Sequence, residues 1–316
     1  MRLLAVAASA LLLTACLDDS DDETLSSIDA NNAKDLVEVA LGSFEVLDVV
    51  EEIVPVEPDF SQSALFQNSL NKNLTYCGAN PNEDTGNGSV DITVNSVTAG
   101  SFSLSAVFAD CLIEPPITID GSFSLDYTGD GDIGPNIADG SNTFDITYEN
   151  LTLANPTENV EVVINGNINS VQSYLDPVYS RTDTVNLGIE TNVAETTVVA
   201  VSFDNWIKTV EFSFETFVAS LNISGSFNVA SENGSFNFTM IESLVFDATP
   251  LEESYINPIA VSGQFRITAE NGSSVTVTIL NAEEALLEID EDGDGVTDVT
   301  ITVLLTEIDL DDAIED

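Results

Sequence analysis

The chain has 316 residues, of which 55 are Asp or Glu, 6 are Lys or Arg and none is His, so its formal charge at pH 7 is −49. This charge opposes binding to nucleic acid and to bare anionic lipid, because both are polyanions. The lack of histidine excludes Ser-His-Asp and Cys-His catalysis and the commonest zinc ligand. Hydrophobic residues make up 43% of the chain, which predicts a folded core rather than wholesale disorder.

The first residues have the features of an export signal. Arg2 precedes a run of small and apolar residues from Leu3 to Leu13, and Thr14 and Ala15 lie directly before Cys16. The apolar run is too short to span a membrane comfortably, and small residues precede the expected cleavage site before Cys16. The pattern resembles the signal of bacterial lipoproteins. The resemblance implies that residues 1–15 are removed and that Cys16 becomes the acylated first residue.

Lipidation of Cys16 would place the rest of the chain outside the inner membrane. More than one acyl chain gives stable attachment, because each buried methylene contributes about 0.8 kcal/mol. In the lipoprotein class an Asp directly after the cysteine signals retention in the inner membrane, but here that residue is Leu17. The resemblance therefore implies an outer-membrane protein that faces the periplasm or the cell surface. Loss of Arg2 leaves five basic residues against 55 acidic ones, a formal charge of −50 for the mature chain.

Two segments of different character follow the anchor. Residues 16–31 are polar and acidic, which predicts a tether. Residues 32–54 have a helical period, with Asn32 as the expected N-cap and Pro55 as the stop. The apolar positions of this segment recur every three or four residues, at Leu36, Ala40, Phe44, Leu47, Val50 and Val54. The pattern predicts one N-terminal amphipathic helix, which either packs as part of the core or covers a β-structure.

The chain from residue 59 to residue 310 has the pattern of a β domain. Apolar and polar residues alternate in runs such as 102–108, 144–148 and 275–279, which is typical of antiparallel strands with one buried and one solvated face. Asn233-Gly234 and Asn271-Gly272 predict tight hairpins. The fold class is therefore mainly β: a large antiparallel β-meander of about 12–14 strands, as a curved sheet, a sandwich or an open barrel.

A short motif recurs within this domain. Gly-Ser-Phe begins at residues 100, 121, 225 and 234, and Gly263-Gln264-Phe265 is a looser copy. The irregular spacing excludes a solenoid. A glycine at a bend or bulge, followed by an inward-facing aromatic residue, accounts for the motif.

Two cysteines remain after lipidation, Cys77 and Cys111. An even pair in an exported chain predicts a disulfide, and two free buried thiols are the alternative. In the chain-entropy model the bond would stabilise the fold by roughly 3–4 kcal/mol.

Residues 290–298 read Asp-Glu-Asp-Gly-Asp-Gly-Val-Thr-Asp. Alternating carboxylates and a glycine at the sixth position match the start of an EF-hand-type calcium loop. The expected ligands are Asp290, Asp292, Asp294, the Val296 carbonyl and Asp298. The twelfth position, a bidentate Glu in EF-hands, is Ile301, and the flanks predict strands, so the expected affinity is weak. The alternative is an acidic hairpin turn that meets only sodium and water.

A second acidic cluster, with fewer carboxylates, occurs earlier in the chain. Asp126, Asp130 and Asp132 surround Gly129 and Gly131. Their spacing matches no metal-binding loop, so we expect a turn here.

The order of these parts resembles a family of uncharacterised secreted bacterial lipoproteins. The similarity is carried by Cys77-Gly78, by Gly-Asn-Gly-Ser-Val at 86–90, by Cys111, by residues 263–274 and by the acidic loop. The resemblance implies the disulfide and the acidic loop, but no activity.

Three functions compete on this evidence. The first is a membrane-anchored β-rich lipoprotein of structural or interaction type, not an enzyme, with calcium as a stabiliser. The second is a carrier for a lipid or another apolar ligand in a curved sheet, and the third is a carboxylate-based hydrolase. A filled interior would favour the first, and a large apolar cavity the second. The membrane is the expected partner through the lipid anchor, and the sequence does not identify a protein or apolar ligand.

Overall fold

A computed structural model describes residues 26–41, 88–98, 100–114, 116–135, 138–193, 196–230, 234–247 and 259–308. These residues are mainly β, with one short helix, α1, at residues 33–41. The strands are β1 (Ser89–Thr98), β2 (Ser101–Glu114), β3 (Ile117–Gly129), β4 (Gly140–Asn155), β5 (Val160–Leu175), β6 (Val178–Val193), β7 (Thr196–Ser213), β8 (Val218–Val229), β9 (Gly234–Asp247), β10 (Ile259–Ala269), β11 (Ser274–Ile279), β12 (Glu284–Asp290) and β13 (Val299–Leu304). A 3-10 turn, Leu305–Glu307, follows β13.

The thirteen strands lie in one antiparallel sheet, in sequence order from β1 to β13. Within the described residues β1 and β13 do not pair, so the sheet is not closed. The predicted antiparallel meander is confirmed, and the thirteen strands in the described part of the chain lie within the predicted range of about 12–14. Because each strand pairs with its neighbours in sequence, the connections between them set the register.

The chain divides into two compact units. Among the described residues, unit 1 comprises 26–41, 177–182, 203–230, 234–247 and 259–308, and unit 2 comprises 88–98, 100–114, 116–135, 138–176, 183–193 and 196–202. The division crosses β6 and β7, so both strands contribute residues to both units. The predicted β domain of residues 59–310 thus contains two packing clusters.

The core of unit 1 is built from aromatic side chains on β7 to β10. Trp206 is fully buried and meets Phe227 and Phe238 edge-on, at ring-centroid distances of 5.7 and 5.3 Å. Phe238 stacks on Phe265 at 4.8 Å. Each such pair contributes roughly 0.5–1.5 kcal/mol beyond the burial of its area. The inward residues of neighbouring strands thus interlock through their rings.

The core of unit 2 follows the same period of two. Phe102 on β2 lies opposite Tyr127 on β3, and Tyr127 lies opposite Phe144 on β4. Both pairs of ring centroids are 5.1 Å apart. Phe102, Leu104 and Ala106 are buried, while the serines between them are only partly buried. The alternation predicted for residues 102–108 therefore places Phe102, Leu104 and Ala106 in the core, while Phe108 is only partly buried.

Two glycines with positive φ lie close to the backbone of the neighbouring strand, and Gly121 does so at a bulge. Gly121 has φ +92°, and a Cβ there would lie 2.0 Å from the carbonyl oxygen of Asn150. Gly225 has φ +137°, and its Cβ would lie 2.6 Å from the Asn205 oxygen. Both asparagines have φ +47°. Only glycine fits such close approach, which confirms the predicted role of these two glycines.

The aromatic residue of each Gly-X-Phe motif faces the core. All five phenylalanines are 8% exposed or less: Phe102, Phe123, Phe227, Phe236 and Phe265. The motif is therefore a local packing device: the glycine positions the backbone, and the phenylalanine two residues later fills the interior.

Helix α1 starts with a reciprocal cap. The Asp29 carboxylate accepts hydrogen bonds from the backbone N–H groups of Asn31 and Asn32 at 2.7 and 3.2 Å, and the Asn32 side chain accepts from the Asp29 N–H at 2.9 Å. The Ala33 N–H donates to the Asp29 carbonyl at 3.0 Å. Asp29 therefore caps the turn at residues 30–32, while the carbonyl of Asn32, directly before α1, accepts the Leu36 N–H at 3.0 Å, as expected at the predicted N-cap position.

The apolar face of α1 is partly confirmed. Leu36 and Ala40 are buried, as their spacing predicts. Residues 42–54, which contain the other predicted apolar positions, lie outside the described residues.

Candidate metal centre

The acidic loop connects β12 to β13, so the predicted strands on both sides of it are confirmed. Asp290 is the last residue of β12 and is partly buried, whereas Asp292 and Asp294 are exposed. Gly293 and Gly295 have φ +73° and +86°, a region that glycine enters without the steric cost of a Cβ. The two glycines allow the chain to turn tightly around the carboxylates.

Three carboxylates converge within this loop. Asp290, Asp292 and Asp294 each offer an oxygen, and these oxygens lie within 4.8 Å of one another. The Asp290 carboxylate accepts the N–H groups of Gly293 and Gly295 at 2.8 and 2.9 Å. A carboxylate has about four lone-pair positions, so these bonds leave capacity for a cation. The three carboxylates could hold a hard cation such as calcium, which takes six to eight oxygen ligands in all.

One of the four predicted carboxylate ligands, Asp298, is not part of this convergence, and the Val296 carbonyl stays a predicted ligand. The Asp298 carboxylate accepts the N–H of Glu291 at 2.9 Å, and it lies outside the converging group found in the described residues. The Val296 N–H donates to Asp294 at 2.8 Å. Ile301 occupies the twelfth position of the loop, where an EF-hand has its bidentate glutamate, and it lies in β13. The ligand set is therefore partial, in agreement with a weak site.

The loop also contacts two distant parts of the chain. The Glu291 carboxylate accepts the backbone N–H of Ala30 at 3.0 Å. Gly293 packs against the β10–β11 turn, because a Cβ on it would lie 2.8 Å from the Gly272 carbonyl carbon. The Asn271-Gly272 turn was predicted, and Gly272 has φ +95°. The contact with Ala30 was not predicted, because no local pattern connects residues 261 positions apart.

The segment before α1 is part of the fold. The Ser26 hydroxyl donates to the Ser235 carbonyl and accepts the Glu270 N–H, both at 3.0 Å. The Ile28 N–H donates to the Ser273 hydroxyl at 2.6 Å. Ser26 and Ile28 are at most 1% exposed. Residues 26–31, predicted as the end of the tether, therefore belong to unit 1.

The earlier acidic cluster forms a turn, as predicted. The Tyr127 hydroxyl donates to the Asn142 side-chain oxygen at 2.9 Å and accepts the Gly131 N–H at 3.0 Å. Asp130 accepts the Ser141 N–H at 3.1 Å. Burial raises the pKa of Tyr127, and the nearby Asp130 and Asp132 charges raise it further, while the Gly131 N–H lowers it. The β3–β4 connection is thus a structural hairpin.

Of the three cysteines with predicted roles, one lies among the described residues. Cys111 is buried on β2, whereas Cys16 and Cys77 lie outside the described residues. Lipidation of Cys16 and the Cys77–Cys111 disulfide stay predictions.

No protein-family model matches the chain, and neither the curated proteins nor the solved structures give a significant match. The resemblance to secreted lipoproteins therefore stays a prediction. Within the described ranges, no helix combines the length and the hydropathy needed to cross a bilayer.

Proposed function

We propose that the chain is a lipid-anchored, β-rich lipoprotein of the outer membrane with a structural or interaction role. We further propose that the loop at residues 290–298 is a hairpin stabilised weakly by calcium. The aromatic packing inside unit 1 is the observation that favours this role over that of a carrier.

A carrier needs an apolar space whose walls contact the ligand. In unit 1 the inward rings contact one another instead: Trp206 meets Phe227 and Phe238, and Phe238 meets Phe265. All four side chains are 2% exposed or less. Their apolar surface is covered by other protein side chains, which favours a structural interior.

Binding of an uncharged apolar dye separates these two functions. N-phenylnaphthylamine is suitable, because a neutral probe is not repelled by the acidic chain. We expect no saturable rise in its fluorescence with the folded protein. A saturable, one-to-one rise that palmitic acid displaces would contradict the structural role and favour the carrier.

The anchor is tested by Cys16→Ser. We expect the variant to leave the membrane fraction and appear as soluble protein, because the acyl chains provide the attachment. Wild type and variant are compared by fractionation and by intact mass. If the variant stays membrane-bound to the same extent as the wild type, the anchor assignment is wrong.

The calcium loop is tested by thermal unfolding with and without calcium. The partial ligand set predicts a Kd nearer 10⁻⁴–10⁻³ M than that of a sensor. At calcium about ten times Kd, binding stabilises the folded state by about 1.4 kcal/mol. We expect this gain in wild type and its loss in the double variant Asp292→Asn with Asp294→Asn.

General screening of charge is the confounding effect, because any salt stabilises an acidic protein. Calcium and magnesium are therefore compared at the same high ionic strength. If calcium stabilises wild type and double variant equally, the loop is only an acidic turn.

A further inference from the structure

The antiparallel strands of unit 1 give it two ends. The near end carries the start of β9, the β10–β11 turn at residues 270–273 and the β12–β13 loop at residues 291–298. The far end carries the β7–β8 turn at residues 214–217 and the β11–β12 turn at residues 280–283. The register shows these separate ends, since Val229 pairs with Gly234 at one and Val218 with Asp247 at the other.

Hydrogen bonds of residues 26–30 attach the N-terminal segment to the near end. Ser26 bonds to Ser235, Ile28 to Ser273 and Ala30 to Glu291, over 2.6 to 3.0 Å. These three bonds reach three different near-end structures. Because Ser26 and Ile28 are buried, the chain leaves unit 1 toward Cys16 from a fixed point.

The connection from this point to Cys16 is short. Ten residue steps separate Cys16 from Ser26, and a fully extended chain spans at most about 3.3–3.6 Å per residue, or roughly 36 Å here. A flexible chain of this length has an average span of only roughly 16–19 Å. Strand β8 has 12 residues, and its eleven steps span about 36 Å at about 3.3 Å per residue. The average span of a flexible chain as long as the linker is thus about half the length of β8.

We infer that the near end of unit 1 is the surface that faces the lipid headgroups of the anchoring leaflet, and that the far end points away from it. This inference rests on the proposed lipidation of Cys16. The orientation follows from where the N-terminal segment docks and from the length of the linker.

The near end is acidic, so the anchor and not electrostatic attraction holds it at the membrane. Glu270, Glu291 and the carboxylates of the acidic loop lie there. Anionic headgroups repel such a surface over about a Debye length, 8 Å at physiological salt. The gap between near end and membrane is therefore expected to widen as the share of anionic lipid rises at low salt.

Energy transfer to the membrane measures this orientation. The full lipidated chain is placed in vesicles of phosphatidylethanolamine and phosphatidylglycerol that contain a lipid with an acceptor dye on its headgroup. A donor dye is attached at Thr297→Cys on the near end or at Thr216→Cys on the far end. The two positions are matched, since both are exposed threonines in turns. We expect several-fold greater transfer from position 297.

A longer linker provides the internal control. Insertion of about twenty Gly and Ser residues after Ser20 adds a flexible segment to the linker without touching the docked residues. Transfer from position 297 should fall toward the value at position 216. If the inserted chain leaves the difference unchanged, the linker does not set the orientation and the inference is wrong.

The outcomes separate this inference from the anchor itself. Vesicle-bound protein with equal transfer from both positions, or more from position 216, overturns the orientation and leaves the anchor intact. If the wild type does not float with the vesicles and behaves like Cys16→Ser, the anchor and the orientation both fail.

Discussion

Unit 1 and unit 2 are both antiparallel, but unit 1 adds to local side-chain hydrogen bonds, such as Gln264–Thr278, others that join residues more than 200 positions apart. In unit 1, Ser26 bonds to Ser235 across 209 positions and Ile28 to Ser273 across 245. In unit 2, Tyr127 bonds to Asn142 across only 15 positions. Loop closure costs more entropy for distant residues. We therefore expect the hairpins of unit 2 to form locally, whereas the N-terminal segment docks only on strands already in place.

The interiors of the two units also differ in the side-chain contacts that form them. Unit 1 has a fully buried cluster of rings around Trp206, drawn from several strands. Unit 2 adds to its ring contacts a polar hairpin network at Tyr127 and a bulge whose Asn150 N–H donates to Asn165 at 2.6 Å. Changes to rings should therefore affect unit 1 most, and changes to turns and bulges should affect unit 2.

The largest effect is expected from Trp206→Ala. Removal of a fully buried aromatic side chain costs about 3–5 kcal/mol through lost burial and the cavity that remains. Denaturant unfolding measures the total loss, and hydrogen exchange should show reduced protection in β8 to β10 before β2 to β4. Equal loss of protection in both units would show that they do not unfold separately.

Trp206→Phe is the control for this change. The indole N–H has no hydrogen-bond partner among the described residues, so its removal does not break a bond. The variant should therefore lose much less stability than Trp206→Ala, because it keeps a ring in the cluster. A loss as large as that of the alanine variant would contradict the packing argument.

The next effect is expected from Gly121→Ala in unit 2. The new Cβ would lie 2.0 Å from the Asn150 oxygen, and φ is +92°. Overpacking of this kind costs about 1–3 kcal/mol, and the positive φ adds strain. Gly188→Ala is the matched control, because its Cβ would lie 4.0 Å from the nearest atom, the Asn165 oxygen. Denaturant midpoints that shift equally for both variants would show that the bulge does not require a glycine.

Tyr127→Phe is expected to have a smaller effect that depends on pH. It leaves the Asn142 oxygen and the Gly131 N–H without the phenol, at a cost of about 1–3 kcal/mol. Burial raises the pKa of Tyr127 above the ordinary 10.0, so the fold favours the neutral phenol. This contribution is complete below pH 10.0 and is lost as pH rises through the higher folded value. Alkaline unfolding should therefore be shallower in the variant, and identical pH profiles would contradict the assignment.

The features that the sequence predicted are those that depend on neighbouring residues. The alternation around Phe102, the Asn271-Gly272 turn and the strands beside Asp290 all follow from local chemistry. The docking of Ser26 and Ile28 was missed, because their partners lie more than 200 positions away. Their short polar neighbours instead resemble a flexible tether.

The acidic loop shows the same limit within a single site. Spacing alone predicted five ligands, and the structure brings together Asp290, Asp292 and Asp294. The carboxylate of Asp298 is taken by the Glu291 N–H, a bond that spacing does not reveal. The contact of Glu291 with Ala30 further depends on the docked N-terminal segment. Sequence thus located the loop, but not its surroundings.

The smallest effect is expected from Asp126→Asn on the solvated face of unit 2. Asp126 lies directly opposite Asp145 on the next strand, and like charges in such pairs are destabilising. Removal of one charge should therefore stabilise the fold by about 0.2–1 kcal/mol. The gain should shrink in molar salt, where the Debye length falls to about 3 Å. Thermal melts of wild type and variant at low and molar salt measure both effects.

Glu158→Gln is the control for Asp126→Asn, because it removes one exposed charge from the β4–β5 turn and not from a ladder position. If general self-repulsion of the −49 chain sets the salt response, the two variants should behave alike. If the opposed pair sets it, only Asp126→Asn should raise the melting temperature at low salt. Equal gains would therefore show that the charge of unit 2 acts as a diffuse field and not through cross-strand pairs.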